Sequence, residues 1–254
     1  MTPNNATLAF IVLLALNASP CPAQGQDPPG AQGPAPASVD QQRPKFRRWS
    51  VTVGLGDASR GPDRDLEATM RAQGFGDPMP DLFGSTEYPM PSSRSVGLSK
   101  FIDLECRLLE HLGIGAVYSH ASIRMTMGYH DPFQFLHVNT QVNTVGVTGI
   151  LAYRGLRAAI GPAWHVARTA QDDTGHEAAA QSHGRLGFVG RLGVQTPARS
   201  RVYLDARAQY NHVGSVTVGP FVSPAFFSLP ERAVQASAVR FNHWLFTIGV
   251  GVRF

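Results

Sequence analysis

Apolar residues stand at every second position in eight separate stretches between Trp49 and Phe254, and few folds accommodate such a pattern. Successive side chains of a strand point to opposite faces, so strict alternation reads as a strand with one greasy and one polar face. The last stretch is the clearest: Trp244, Phe246, Ile248, Val250, Val252 and Phe254 share one face, and His243, Leu245, Thr247, Gly249, Gly251 and Arg253 the other. The same phase appears in Trp49, Val51, Val53 and Leu55, and in Val96, Leu98, Ile102, Leu104 and Leu108, a row interrupted by Lys100. It returns in Leu112, Ile114, Ala116 and Tyr118, and in Val145, Val147, Leu151 and Tyr153, where the phase before Thr144 is ambiguous. Leu156, Ala158, Ile160 and Trp164 form a sixth row, Leu186, Phe188, Leu192 and Val194 a seventh, and Val202, Leu204, Ala206 and Ala208 an eighth. The 26 glycines and 19 prolines weaken any helix-rich alternative.

Short connections near Leu109–His111, Arg154–Gly155 and Thr196–Ser200 alternate with long ones near Asp57–Ser93, Thr126–Phe135, Thr169–Ser182 and Gly214–Val239. That rhythm predicts an all-β, closed antiparallel up-and-down barrel of about eight strands, with one minimal rim and one elaborated rim. An extra hairpin from Ser215–Val218 and Phe221–Phe227 would raise the count to ten. Alternation alone leaves the wet face open: a soluble lipocalin-like barrel turns its apolar face inward, a membrane barrel outward. Two patterns favour the membrane. The polar face mixes glycines with charges of both signs (Asp103, Glu105, Arg107, Arg157, Arg185, Arg191, Arg201, Asp205, Arg207 and Arg253), which suits a narrow lumen in which ions pair. The aromatic residues Trp49, Tyr118, Tyr153, Trp164, Tyr210, Trp244 and Phe254 sit at strand ends, where interfacial girdles form. The predicted fold is therefore a transmembrane β-barrel.

The ending Trp244-Leu245-Phe246-Thr247-Ile248-Gly249-Val250-Gly251-Val252-Arg253-Phe254 resembles the terminal signature of bacterial outer-membrane β-barrel proteins. The plan as a whole is similar to small eight-stranded OmpA/OmpX-type barrels. The resemblance implies a residence in the outer membrane of the cell envelope, contact with its lipids, and recognition of the strand ending at Phe254 by the barrel-assembly machinery. No separate periplasmic domain is expected after the barrel, so the peptidoglycan-binding half of the larger members is not expected here.

Residues 1–23 are expected to be a signal peptide, with the apolar run Leu8–Leu16 followed by small and turn-forming residues. That nine-residue run is too short for a spanning helix, which needs about 20 residues. Pro20 before Cys21, and Ala18 three places before it, do not suit lipidation. Residues 24–45 hold five prolines and no aromatic residue, so they are read as a disordered Pro-rich leader, and residues 46–254 as the barrel domain. Cys21 and Cys106 are the two cysteines, too few for a disulfide scaffold or a zinc ribbon. A formal charge of +4 with no basic recognition helix gives no reason to expect a nucleic-acid partner.

Chemistry is sparse. Asp65–Gly74 carries helix signals inside the first long connection, with Asp65 able to cap and Gly74 to stop it. A rim-packing helix is the favoured reading, a lid or plug over the mouth or a partner-binding helix the other. Of nine histidines, eight (His120, His130, His137, His165, His176, His183, His212 and His243) fall in or beside the long connections, and parity points His165, His183 and His243 inward. With Asp172-Asp173-Thr174-Gly175-His176-Glu177 they invite a metal reading, but no spacing matches a metal motif. Ser119 and His120 are adjacent, hence on opposite faces, and His176, Glu177 and Ser182 meet only if their loop folds back. Cys106 shares the apolar face with Leu104 and Leu108 and is expected to be a lipid-facing thiol. No catalytic, cofactor-binding or metal residue set is expected. The expected function is a non-enzymatic integral outer-membrane β-barrel with a structural or surface-interaction role carried by its extracellular loops. The alternatives are a small-solute pore, an outer-membrane lipid-modifying hydrolase and a soluble binder.

Overall fold

The computed structural model describes residues 48–59, 61–75, 79–80, 87–88, 92–128, 135–171, 180–196, 201–223, 225 and 231–254. The expected signal peptide and Pro-rich leader lie outside the described residues. Eight strands form one closed antiparallel barrel: β1 (Trp49–Ala58), β2 (Ser92–Arg107), β3 (Leu112–Gly128), β4 (Phe135–Tyr153), β5 (Leu156–Gln171), β6 (Gln181–Gln195), β7 (Val202–His212) and β8 (His243–Arg253). Each strand pairs with its sequence neighbours, and β1 closes on β8 with Val53 opposite Val250. The turn from β4 to β5 is the two-residue pair Arg154-Gly155, both at positive φ (46° and 90°), as a type I′ hairpin demands. Lys100 does not break β2. The strand runs through it with a register shift between Gly97 and Lys100.

The outer wall is apolar and the inner wall polar. Ile248 is 71% exposed, Val250 47% and Phe188 39%, whereas Arg191 is 7% and Asp205 3% exposed. This is the orientation of a membrane-spanning barrel and the reverse of a soluble ligand-binding one. Cys106 is a free thiol in the outward row of β2. Among the described residues, no helix is long and apolar enough to cross a membrane.

The strands are unequal in length. β7 and β8 have 11 residues each, matching the 9–11 that a tilted crossing needs, but β3 has 17 and β4 has 19. The surplus lies on the side of the long connections, and along it both faces change character. On β3 the outward row runs from Leu112, Ile114, Ala116 and Tyr118 into His120, Ser122, Arg124 and Thr126, while the inward row runs from Ser119 into Ala121, Ile123 and Met125. On β4 the outward row runs from Tyr153, Leu151 and Val147 into Asn143, Gln141 and Asn139, while Thr148 and Thr144 give way inward to Val142, Val138 and Leu136. The phase that is ambiguous in sequence before Thr144 is this reversal: outside the hydrocarbon, the outer wall meets water and the inner wall needs a hydrophobic core.

That upper core is closed by two insertions. The helix α1 (Gly61–Ala72) buries Leu66 and Met70, followed by Phe75, in one cluster with Met125, Leu136, Val138, Val142 and Ala167 of the barrel wall. The helix starts four residues before Asp65, so Asp65 is not its cap, whereas Gly74, at φ 89°, does end it, its N–H reaching the Arg71 carbonyl at 2.9 Å. The segment between β7 and β8 forms a ladder of its own: Ser215–Val218 pairs with Ser237–Arg240, and Phe221–Ser223 with Arg232–Val234. These pieces add no strand to the barrel, so the count is eight. Sequence alone misses this pairing because the partner segments at 232–240 show only three or four residues of pattern. The ladder contributes Val213, Val216, Val218, Phe221, Val234, Val239 and Phe241 to the same core.

Candidate functional site: an ionic lumen beneath a covered mouth

In the half of the barrel away from the long connections, inward strand positions carry charge. Asp103 on β2 faces Arg191 of β6, with which it forms a hydrogen-bonded ion pair, and Arg207 of β7 at 2.8 Å. Arg207 also reaches Asp205 at 2.5 Å, and Glu105 pairs with Arg157. Gln195 bridges Asp205 at 2.8 Å and Arg253 at 3.0 Å, and Arg191 reaches the Thr148 hydroxyl at 2.9 Å. All of these side chains are buried. The carboxylates of Asp103, Glu105 and Asp205 thus pair with the guanidinium groups of Arg157, Arg191 and Arg207, and Gln195 links Arg253 to Asp205, in a site where an unpaired ion would be costly.

Aromatic rings fill the gaps between the ions. The Phe101 ring lies against Gly54 and Gly249 and carries the Arg207 guanidinium 4.2 Å above its centroid. The Tyr203 ring lies against Gly251, carries Arg253 at 4.1 Å, and its hydroxyl meets Thr52 at 2.6 Å. The inward glycines are therefore the seats of these rings, since a Cβ on Gly251 would stand 2.2 Å from Tyr203. Glu105, Arg157, Arg191, Asp205 and Arg207 surround a cavity of about 20 Å³, room for about one water.

The polar face assigned from sequence is thus confirmed for Asp103, Glu105, Arg157, Arg191, Asp205, Arg207 and Arg253. It is corrected for three arginines. Arg107 is half-buried and Arg185 and Arg201 are exposed: Arg107 ends β2 and Arg201 precedes β7, while Arg185 lies on the part of β6 that has no paired residue on β7, where pairing begins at Phe188. Phe101 and Tyr203, both at inward positions, are the lumen residues that a polar-face rule overlooks.

The mouth is clasped shut by side-chain amides that imitate a backbone rung. Gln171, the last residue of β5, donates to the Val222 carbonyl and accepts from its N–H at 2.9 Å. Gln181, the first residue of β6, does the same for Gly219, at 2.7 and 3.0 Å. Asn242 accepts from the N–H groups of Val213 and Gly214 at 2.9 and 2.8 Å. The helix is tied to the ladder by Asp65 and Arg240, paired at 2.9 and 3.1 Å, and by Gln73 to the Gln235 N–H at 3.0 Å. Hydrogen bonds from Arg240 hold the Asp65 carboxyl below its ordinary value of 3.8. Of the two readings of the first insertion, a cover over the mouth fits this geometry.

Among the described residues the histidines form no ligand set. Inward His165 is hydrogen-bonded to Thr144 at 2.9 Å, and buried His243 accepts from Asn211 and donates to the Phe241 carbonyl, at 2.9 and 2.8 Å. His212 stacks on Phe188 at 4.8 Å. Among the described residues, no group of three or more His, Cys, Asp or Glu is placed to hold a metal ion. His130, His176, Asp172, Asp173 and Glu177 lie outside the described residues. Ser119 is buried against Gln209 at 2.9 Å while His120 bonds Asn143 at 2.9 Å in the outward row, so the two point to opposite sides of the wall.

No family model matches the chain, and no curated protein matches it. Among solved structures it is similar to Neisserial surface protein A, with 16% identity over 81% of this chain and 97% of that one at a TM-score of 0.41. It is also similar to the outer membrane protein OprG of Pseudomonas aeruginosa (10% identity, 82% and 97% coverage, TM-score 0.46) and to the outer membrane protease OmpT of Escherichia coli (10%, 84% and 98%, 0.40). Likeness at this level carries no argument about activity, and the fold stands on the chain's own strand pairing and its two faces. The chain is a closed eight-stranded β-barrel similar to the small outer-membrane barrels.

Proposed function

We propose that this chain is an integral outer-membrane β-barrel protein with a non-enzymatic, structural or surface-interaction role, exercised by the covered crown on the side of its long connections. The observation that carries the reading is the double reversal of polarity. The outer wall is greasy for about one bilayer crossing and then polar, while the inner wall is ionic and then apolar. A barrel floating in water has no use for the first change, and an open channel has none for the second. The filled lumen weighs against the pore alternative, since ions and rings occupy the lower half and α1 and the ladder close the upper half. The opposed faces of Ser119 and His120 weigh against that pair as the hydrolase centre.

Two measurements test the proposal. The protein should stay in the membrane fraction through alkaline carbonate and leave it only with detergent; release by carbonate alone would remove the integral-barrel reading. Reconstituted in planar bilayers, it should give no unitary current steps. Reproducible steps that persist in independent preparations would return the function to a solute pore.

A further inference from the structure

His120 stands on the outward face of β3, and the serine that shares this face is Ser122, two residues on, not the buried Ser119. Side chains two apart on a strand lie on one face, with about 6.6 Å between their Cα atoms. Both are half-buried in the outer wall. A third residue holds the imidazole. Asn143, opposite His120 on β4, has its Oδ1 2.9 Å from His120 Nδ1 and accepts the Tyr118 hydroxyl at 3.1 Å. A carbonyl oxygen only accepts, so Nδ1 carries the proton and donates it. The neutral ring then presents the lone pair of Nε2, which no hydrogen bond among the described residues engages. Ser122 donates to Asn139 Oδ1 at 3.3 Å, a long contact that a turn about χ1 exchanges for His120 Nε2, directly or through one water. Room for a reacting group lies on the β2 side. Gly97 is opposite Ser122, where a Cβ would stand 3.3 Å from the hydroxyl oxygen. Lys100 is opposite His120, so the register shift of β2 falls between the serine and the histidine, and bulges are frequent beside active sites. On the β4 side Gln141 is opposite Ser122. Its amide, unengaged among the described residues, is a donor for negative charge that develops on a carbonyl oxygen.

Nucleophile, base, orienting amide and oxyanion donor are the parts of an acyl-transfer site. Its position selects the substrate. Tyr118, Val145 and Trp164 are level with one another at the top of the apolar band, and His120 and Ser122 are the next two outward positions of β3. Fatty acyl ester carbonyls of membrane lipids lie at this boundary between hydrocarbon and water. We propose that Ser122, His120 and Asn143 form a lipid ester hydrolase site on the outer wall of β3 and β4, which cleaves fatty acyl esters in the leaflet on the side of the long connections. The proposal goes beyond the non-enzymatic role given to the crown, and it rests on the membrane reading above. The Ser122 oxygen attacks the ester carbonyl carbon while its proton passes to His120 Nε2. The tetrahedral adduct collapses, the bond to the alcohol oxygen breaks, and His120 returns the proton to that oxygen, so the lysolipid leaves. One water then attacks acyl-Ser122, its proton passing to His120 and on to the serine oxygen, and the fatty acid leaves. Asn143 is a positioning residue, since it acts through the ring of His120.

The protein folded into phosphatidylcholine vesicles would be treated with a fluorophosphonate, which loses fluoride as it phosphonylates an activated serine, and its intact mass followed. The expected result is one adduct, at Ser122. Ser122→Ala should carry none, and His120→Gln should form it about a hundredfold more slowly, the lower end of what a general base supplies. Ser119→Ala should label as wild type does. Asn143→Leu should lose most of the labelling, and Asn143→Asp, which keeps an acceptor for the Nδ1 proton, should regain it. All variants are compared as heat-modifiable folded protein, so a misfolded variant is not counted. The phosphatidylcholine vesicles, or vesicles that carry an acylated glucosamine lipid, should release free fatty acid with the wild type and not with Ser122→Ala; the lipid that does so identifies the alcohol. No adduct at Ser122, an adduct whose rate ignores His120 or Asn143, or fatty acid from neither lipid overturns the proposal. A protein that does not float with the vesicles in a density gradient fails at the earlier step, the membrane reading itself.

Discussion

Single residues in this barrel are chosen by what faces them across the lumen. Gly251 is small because Tyr203 lies on it, and Gly249 and Gly54 are small because Phe101 does. Gly251→Ala should displace the Tyr203 ring and with it the Arg253 stack. A loss of about 1–3 kcal/mol is expected from overpacking, read as a lower urea midpoint of the protein folded in vesicles. An unchanged midpoint would mean that the ring has another place to go. Asp103 has a larger part, because two guanidinium groups converge on it. Asp103→Asn leaves both cations buried with half their compensation, and about 3–5 kcal/mol should be lost. Folded protein with wild-type unfolding behaviour would show that water or rearranged carboxylates take over.

At the scale of elements, the crown is built on the barrel's surplus strand length around one buried apolar cluster. Its core is apolar, but its edges are held by exposed polar ties, of which Asp65 with Arg240 is the one that titrates within reach. The folded-state carboxyl lies below the unfolded value of 3.8, so the tie contributes fully above that value and is lost as pH falls through the depressed one. Because the pair is exposed, the contribution is small and screened. Amide exchange of α1 should therefore accelerate between pH 5 and pH 3 beyond the intrinsic pH dependence, and Arg240→Ala should show the faster exchange already at pH 5. If α1 exchanges alike in both proteins across that range, the helix is held by Leu66 and Met70 alone.

For the molecule as a whole, closure depends on the meeting of the first and last strands. Trp49 and Phe254 exchange backbone hydrogen bonds at 3.1 and 2.9 Å, and β8 donates a full row of outward side chains from Trp244 to Phe254. Deleting Phe254 removes that last rung and an exposed aromatic side chain at the rim. The yield of heat-modifiable folded protein in the membrane fraction should fall severalfold, and Phe254→Tyr should retain most of it. Equal yields of all three proteins would separate Phe254 from assembly, and the proposed recognition by the barrel-assembly machinery would fall with it.

Alternation in the sequence determined the strands and divided each into an apolar and a polar face, because a period of two is a local property that the pleat converts directly into sidedness; which face meets lipid, and that the strands number eight and not ten, was decided by the closed ring. The terminal row from Trp244 to Phe254 is legible by itself for that reason. The helix near Leu66 and Met70 was also visible, though its start at Gly61 was not. What the tertiary structure decided is everything that depends on register around the closed ring. Asp103 finds partners 88 and 104 residues away, and no local pattern names them. The change of phase at Asn143–Thr144 is written in the chain, but its meaning appears only when the strands are seen to outrun one bilayer and a helix and a ladder are seen to roof the space above. Hydrophobic burial is set by which neighbour covers a side chain, and in a barrel of unequal strands that neighbour changes from lipid to protein along a single strand.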